Sequence, residues 1–162
     1  MGLQERNKAR RDSVDDRCMI AAEIANGIDG PCVIWCNLND ESQKLSGLIN
    51  GAVEVKGSDS IAHKETSLMG FVDGHITKLV TKPKIAGFGL NWQHCRHIIF
   101  VGLSDSWESY YQAIRRCWRF GQTEAVDVHI VSADTEGAVV ANIKRKEEQN
   151  KRLGEEMVRL VR

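Results

Sequence analysis

Apolar residues fall along this chain in two rhythms, short unbroken runs and longer stretches with a helical repeat. Cys32-Val33-Ile34-Trp35-Cys36 follows Gly30-Pro31 as a continuous apolar run, the pattern of a strand buried on both faces of a parallel sheet. Ala52-Val53-Glu54-Val55, Ile76-Thr77-Lys78-Leu79-Val80-Thr81, His97-Ile98-Ile99-Phe100-Val101 and Val126-Asp127-Val128-His129-Ile130-Val131 continue the series of strands. Helical patterns separate them. Ser13-Val14-Asp15-Asp16 opens one, striped by Val14, Cys18, Ala21, Ala22 and Ile24 and stopped by Asn26-Gly27. Asn39 or Asp40 caps a second that runs to about Ile49, a third runs from Ser60 to about Phe71, and a strongly patterned fourth spans about 107–118. Strands alternating with helices predict an α/β fold, a parallel sheet with helices on both faces.

The flanks read differently. Residues 1–12 carry Arg6, Lys8, Arg10 and Arg11 with almost nothing apolar, and are expected to be a disordered basic arm or linker. From Thr135 the pattern is helical and charged, so 13–146 forms the expected domain and 147–162 a charged helical tail. At 162 residues the chain has the size of one domain, able to bury a core without disulfides or metal.

Charge and cysteine content narrow the function. Lys and Arg together number 22 and so do Asp and Glu, so any surface for nucleic acid must be local rather than global. The five cysteines, an odd number, sit mostly in apolar runs and read as reduced core residues of an intracellular protein. Cys32 and Cys36 on one strand would lie roughly 13 Å apart, too far to share a zinc ion, and His94-Cys95-Arg96-His97 lacks a Cys-x-x-Cys knuckle. No run is long or apolar enough to span a bilayer and the start has no secretory core, which predicts a cytoplasmic protein with no membrane partner.

The chemistry concentrates on the fourth helix. At about 100° per residue, Trp107, Tyr110, Tyr111, Ile114, Cys117 and Trp118 fall on one side, and Gln112, Arg115, Arg116 and Arg119 on the other. Like charges so placed repel unless an anion meets them, and guanidinium is the preferred partner of phosphate because its planar fork donates two hydrogen bonds and keeps its charge. Arg116 and Arg119, about one turn apart, are placed to reach one triphosphate; a solvated basic face is the plain alternative.

The run Gln112-Ala113-Ile114-Arg115-Arg116-Cys117-Trp118-Arg119-Phe120-Gly121-Gln122 resembles motif VI of superfamily-two helicases, above all the Swi/Snf-like branch, whose pattern is Gln-Ala-x-x-Arg-x-x-Arg-x-Gly-Gln. Ile85-Ala86-Gly87-Phe88-Gly89-Leu90-Asn91 is similar to motif V of the same family. With Val33-Ile34-Trp35-Cys36, Lys56-Gly57-Ser58 and the helix holding Lys64 and Phe71, the resemblance covers about 13–146, in a form common among bacteriophages and prophages.

That resemblance implies a three-layer RecA-like fold and the role of C-terminal motor domain in an ATP-dependent helicase or translocase. It implies Arg116 and Arg119 as arginine fingers, whose kind contributes about 10³ to 10⁵ in rate, with Gln112, Gly87, Gly89 and Asn91 also at ATP. Asn37, Lys56, Ser58, Lys82 and Lys84 are the residues expected to follow a DNA or RNA backbone. Lys82-Pro83 stands where the family usually has Ser-Thr and Ala86 where it has its first Gly, so Lys82 and Lys84 either replace hydroxyl contacts with salt-sensitive phosphate contacts or are simply exposed.

No Gly-x-x-x-x-Gly-Lys-Ser/Thr run and no Asp-Glu-x-His pair occurs, so the phosphate cradle and the ligands for Mg2+ are missing. The resemblance assigns both to an N-terminal RecA-like ATPase domain, with ATP in the cleft between the two. The isolated chain is therefore expected to be inactive. Two other readings stay open: a non-catalytic nucleic-acid or protein binding module that keeps the fold, and an enzyme using Cys117 or Cys95 with His94, for which spacing supplies no oriented triad.

Overall fold

A computed structural model of the chain describes residues 2–85, 91–104, 106–119, 121–133 and 137–161. In chain order these form α1 (Leu3–Asp12), α2 (Val14–Asn26), β1 (Cys32–Trp35), α3 (Asn39–Leu48), β2 (Ala52–Glu54), α4 (Ile61–Asp73), β3 (Lys78–Thr81), β4 (His97–Val101), α5 (Trp107–Arg115), β5 (Asp127–Val131) and α6 (Gly137–Val161). The five strands predicted from the apolar runs are the five strands of one sheet, ordered β2-β3-β1-β4-β5 and parallel throughout. Every residue of β1 is buried, as a central strand covered on both sides requires.

Alternation along β1 divides the core in two. Val33 and Trp35 join Leu79, Ile98 and Phe100 under α4, α5 and α6, with Phe71, Tyr110, Ile114 and Ile143 supplied by those helices. Cys32, Ile34 and Cys36 face the other way with Val80 and Ile99, packed by Cys18, Ala21 and Ala25 of α2 and by Leu45 of α3. Small residues on α2 let that helix lie close to the sheet. The result is the three-layer RecA-like arrangement. Among the described residues no helix is long and apolar enough to cross a membrane.

Several boundaries differ from the sequence expectation. Residues 3–12, expected to lack order, form α1. Arg10 ties it down: its Nη2 donates to the Leu103 carbonyl at 2.7 Å, while its own carbonyl accepts from Arg17 Nη2 at 2.5 Å. The α3 helix is not capped by the Asn39 or Asp40 side chain. Glu41 turns back instead, and its Oε2 accepts the backbone N–H of Asn37 at 2.8 Å and of Leu38 at 2.9 Å. Ser60 and Ser106 cap α4 and α5, each accepting an N–H at 3.1 Å, from His63 and Ser109 respectively. The charged tail continues without interruption from Gly137 in α6, a helix of 25 residues.

The largest departure is at the end of α5. The predicted helix to 118 stops at Arg115, with Arg116 as its C-cap. Arg115 is exposed, Arg116 buried and Arg119 half-buried, so the three do not share the one polar face assigned to them.

Candidate functional site

The carboxyl ends of β1, β2 and β3 carry the residues nominated for nucleic acid. Asn37 follows β1, Lys56 and Ser58 follow β2, and Lys82 and Lys84 follow β3. In open α/β sheets this end, at the point where strand order reverses, is where ligands bind. Here that crevice opens between β1 and β4 and is lined by Trp35, Asn37, Pro83, Gly102, Ser104 and Ser109. Two of the lysines have partners. Lys56 Nζ lies 3.1 Å from Glu54 Oε1, which raises its pKa through the hydrogen bond and the charge of Glu54. Lys82 Nζ donates to Asn39 Oδ1 at 2.5 Å. Ser58 and Lys84 are exposed and Asn37 is half-buried.

The arginine segment follows α5 and meets the sheet at Trp35, the last residue of β1. Nine residues of α5, about 13 Å of helix, separate its cap near the carboxyl end of β4 from Arg116. Gln112 and Arg115 are exposed on α5. The Arg115 Cζ stands 5.8 Å from the Tyr111 ring and 6.0 Å from the Trp118 ring. Both aromatics, assigned to the buried face by periodicity, are largely exposed, at 37 and 52 %. Arg119 is half-buried just beyond the helix.

Arg116 does the opposite of what its polarity suggests. It is 8 % exposed, and its Cζ lies 5.6 Å from the ring centroids of both Trp35 and Trp92. Its Nε and Nη1 are buried with no hydrogen-bond acceptor, and so are the indole Nε1 atoms of Trp35 and Trp92. Burial pulls the guanidinium below the ordinary arginine value; Cys117 opposes this and the Arg119 charge adds to it. A buried donor left unpaired costs on the order of 1–3 kcal/mol, more for a charged group, so Arg116 is a buried positive charge whose Nε and Nη1 have no hydrogen-bond partner in this structure. Among the described residues no group of three His, Cys, Asp or Glu side chains converges as a metal site.

Gly121 and Gln122 fasten this segment to the loop before β4. Gln122 Nε2 donates to the Gln93 carbonyl at 2.9 Å and to the Cys117 carbonyl at 3.1 Å. The Trp92 N–H donates to the Arg116 carbonyl at 2.8 Å. Asn91 is exposed, its Oδ1 accepting the Gln93 N–H at 3.1 Å. Gly87 and Gly89 lie outside the described residues. The structure thus joins Asn91 to the arginine segment through its neighbours Trp92 and Gln93. Sequence reasoning missed Trp35 and Trp92; the available signal was a tryptophan ending the central strand and another directly after Asn91.

A parallel sheet of this order, with an arginine segment on one face and polar strand ends at its crest, defines a domain of the RecA-like class. The chain belongs to the helicase conserved C-terminal domain family, which it matches over residues 16–121. Among solved structures it is similar to the C-terminal part of the Fun30 ATPase domain, at 20 % identity and TM-score 0.59 over 70 % of this chain and 39 % of that one. The C-terminal domain of the DEAD-box protein Dbp5 is similar at 16 % identity and TM-score 0.69, covering 82 % of this chain and 78 % of that one. A hypothetical ATP-dependent RNA helicase from Sulfolobus tokodaii gives 18 % identity and TM-score 0.60, over 76 % of this chain and 36 % of that one. The chain thus spans well under half of two of these three. No curated protein matches.

Proposed function

We propose that this domain is the C-terminal motor half of an ATP-dependent helicase or translocase, supplying arginines to an ATP site completed by an N-terminal RecA-like domain. The observation that carries the reading is the buried Arg116 guanidinium, with two N–H nitrogens lacking acceptors, in the segment that resembles motif VI. Its charge cannot be shed at any working pH, so an anion is the partner it is made for. Arg119, half-buried one step further on, is the second finger. Together they offset the negative charge that spreads over the γ-phosphoryl oxygens during transfer, with Gln112 sensing the nucleotide and Asn91, Gly87 and Gly89 linking it to the nucleic-acid side. When ATP is bound, Mg2+ is held by the other domain.

Two of the similar structures are part of an ATPase domain and a hypothetical ATP-dependent RNA helicase, which supports the same class. Gln112, Ala113, Arg116, Arg119, Gly121 and Gln122 support the Swi/Snf-like branch, and the bacteriophage setting rests on overall likeness alone. Asn37, Lys56, Ser58, Lys82 and Lys84 form the track for DNA or RNA at the carboxyl end of the sheet.

In the assembled enzyme, Arg119→Ala is expected to lower ATP turnover by at least a thousandfold while leaving the ATP dissociation constant within a few fold. Turnover close to the parent's removes the finger assignment. The 162-residue chain alone is expected to show no hydrolysis and no tight ATP binding, measured by phosphate release and calorimetry.

A further inference from the structure

We propose that Trp35 and Trp92 are positioning residues for Arg116, their paired indole faces holding the guanidinium in place as a buried cation. Two observations converge. The two rings are stacked, 5.7 Å apart between centroids and 24° from parallel, and the Arg116 Cζ completes a nearly equilateral triangle with them at 5.6 Å from each. Among the described residues no carboxylate forms an ion pair with Arg116, so the negative π-faces are the compensation its charge receives, and indole is the strongest aromatic for that purpose.

Both rings are rigidly mounted. Trp35 is the last residue of the central strand, in register with Thr81 on one side and Phe100 on the other. Trp92 meets the Phe71 ring edge-on at 5.1 Å and 87°, and its N–H holds the Arg116 carbonyl. Side chain and backbone of Arg116 are thus fixed by the same partner. The arrangement leaves Nε and Nη1 buried and unpaired, so the rings, and not hydrogen bonds at these two nitrogens, set where the arginine finger stands. This functional sense rests on the arginine reading above; the contact itself does not.

The test is a double-mutant cycle on the unfolding equilibrium of the 162-residue chain, measured in urea, with Trp92→Leu, Arg116→Met and the pair, repeated with Trp35→Leu. The expected result is a coupling of roughly three- to thirtyfold in the unfolding constant, largely kept when Trp92→Phe replaces Trp92→Leu. Effects that simply multiply, or a Phe variant that loses as much coupling as the Leu variant, overturn the proposal in favour of packing volume. Should a Leu variant not fold, the chain carrying Trp107→Phe and Trp118→Phe emits only from Trp35 and Trp92. Adding Arg116→Met to it is expected to shift that emission, and an unchanged spectrum overturns the proposal. Neither measurement involves ATP, so their failure is separate from failure of the Arg119→Ala turnover experiment.

Discussion

Gly121 adopts φ of 92°, in the left-handed region that costs a residue with a Cβ about 1–2 kcal/mol. A Cβ there would also meet Gln93 Nε2 at 3.2 Å, beside the loop that Gln122 fastens. Gly121→Ala is therefore expected to destabilise the chain by about 1–2 kcal/mol, read as a lower urea midpoint at unchanged slope. A midpoint equal to the parent's would show that the turn relaxes freely. At this scale the sequence was legible in residue type but not in placement. Helical periodicity carried past Arg115 puts Arg116 on the polar face. Only the two tryptophans, distant in sequence, explain how a guanidinium is drawn beneath the surface.

Between elements, one carboxylate joins α2, α3 and the end of β1. Glu41 is fully buried. Its Oε1 pairs with Arg17 Nη1 at 2.5 Å while its Oε2 takes the two backbone N–H groups that open α3. Removing one partner of a buried pair leaves the other charge uncompensated, a loss of about 3–5 kcal/mol. Glu41→Gln is expected to cost that much in urea unfolding, and a loss below about 1 kcal/mol would mean that Arg17 finds other acceptors at once. The helix itself was readable from its apolar pattern. Its cap was not, because Asn39 and Asp40 are the residues that ordinarily cap and a glutamate reaching back from the first turn leaves a weaker trace. Helix α1 was missed for a related reason. Its own pattern is almost wholly polar, and its anchors include Arg10 reaching Leu103 from more than ninety positions away and Arg17 of α2 bonded to the Arg10 carbonyl.

Across the whole molecule, the central strands β1 and β4 were the most legible because a parallel sheet covered on both faces demands unbroken apolar runs, and Cys32-Val33-Ile34-Trp35 and Ile98-Ile99-Phe100-Val101 are such runs, buried throughout. The order β2-β3-β1-β4-β5 left no comparable trace, since β1 and β4 share one signature and the edge strands β2 and β5 are both less buried. Partial desolvation of two histidines in and just before β4 also bears on how the domain answers acid. Burial depresses the pKa of His94, against a hydrogen bond to the Phe71 backbone, and that of His97, against the opposing charge of Asp127. Both side chains therefore bind a proton less readily when folded than when unfolded. Stability from them is complete above about pH 6.5, the unfolded value, and is lost as pH falls below it, because the unfolded chain then takes up more protons. The melting temperature is expected to be lower at pH 5.5 than at pH 7.5, and the difference is expected to shrink in the double variant His94→Gln, His97→Gln. An equal pH dependence in parent and variant would place the acid response on the carboxylates instead.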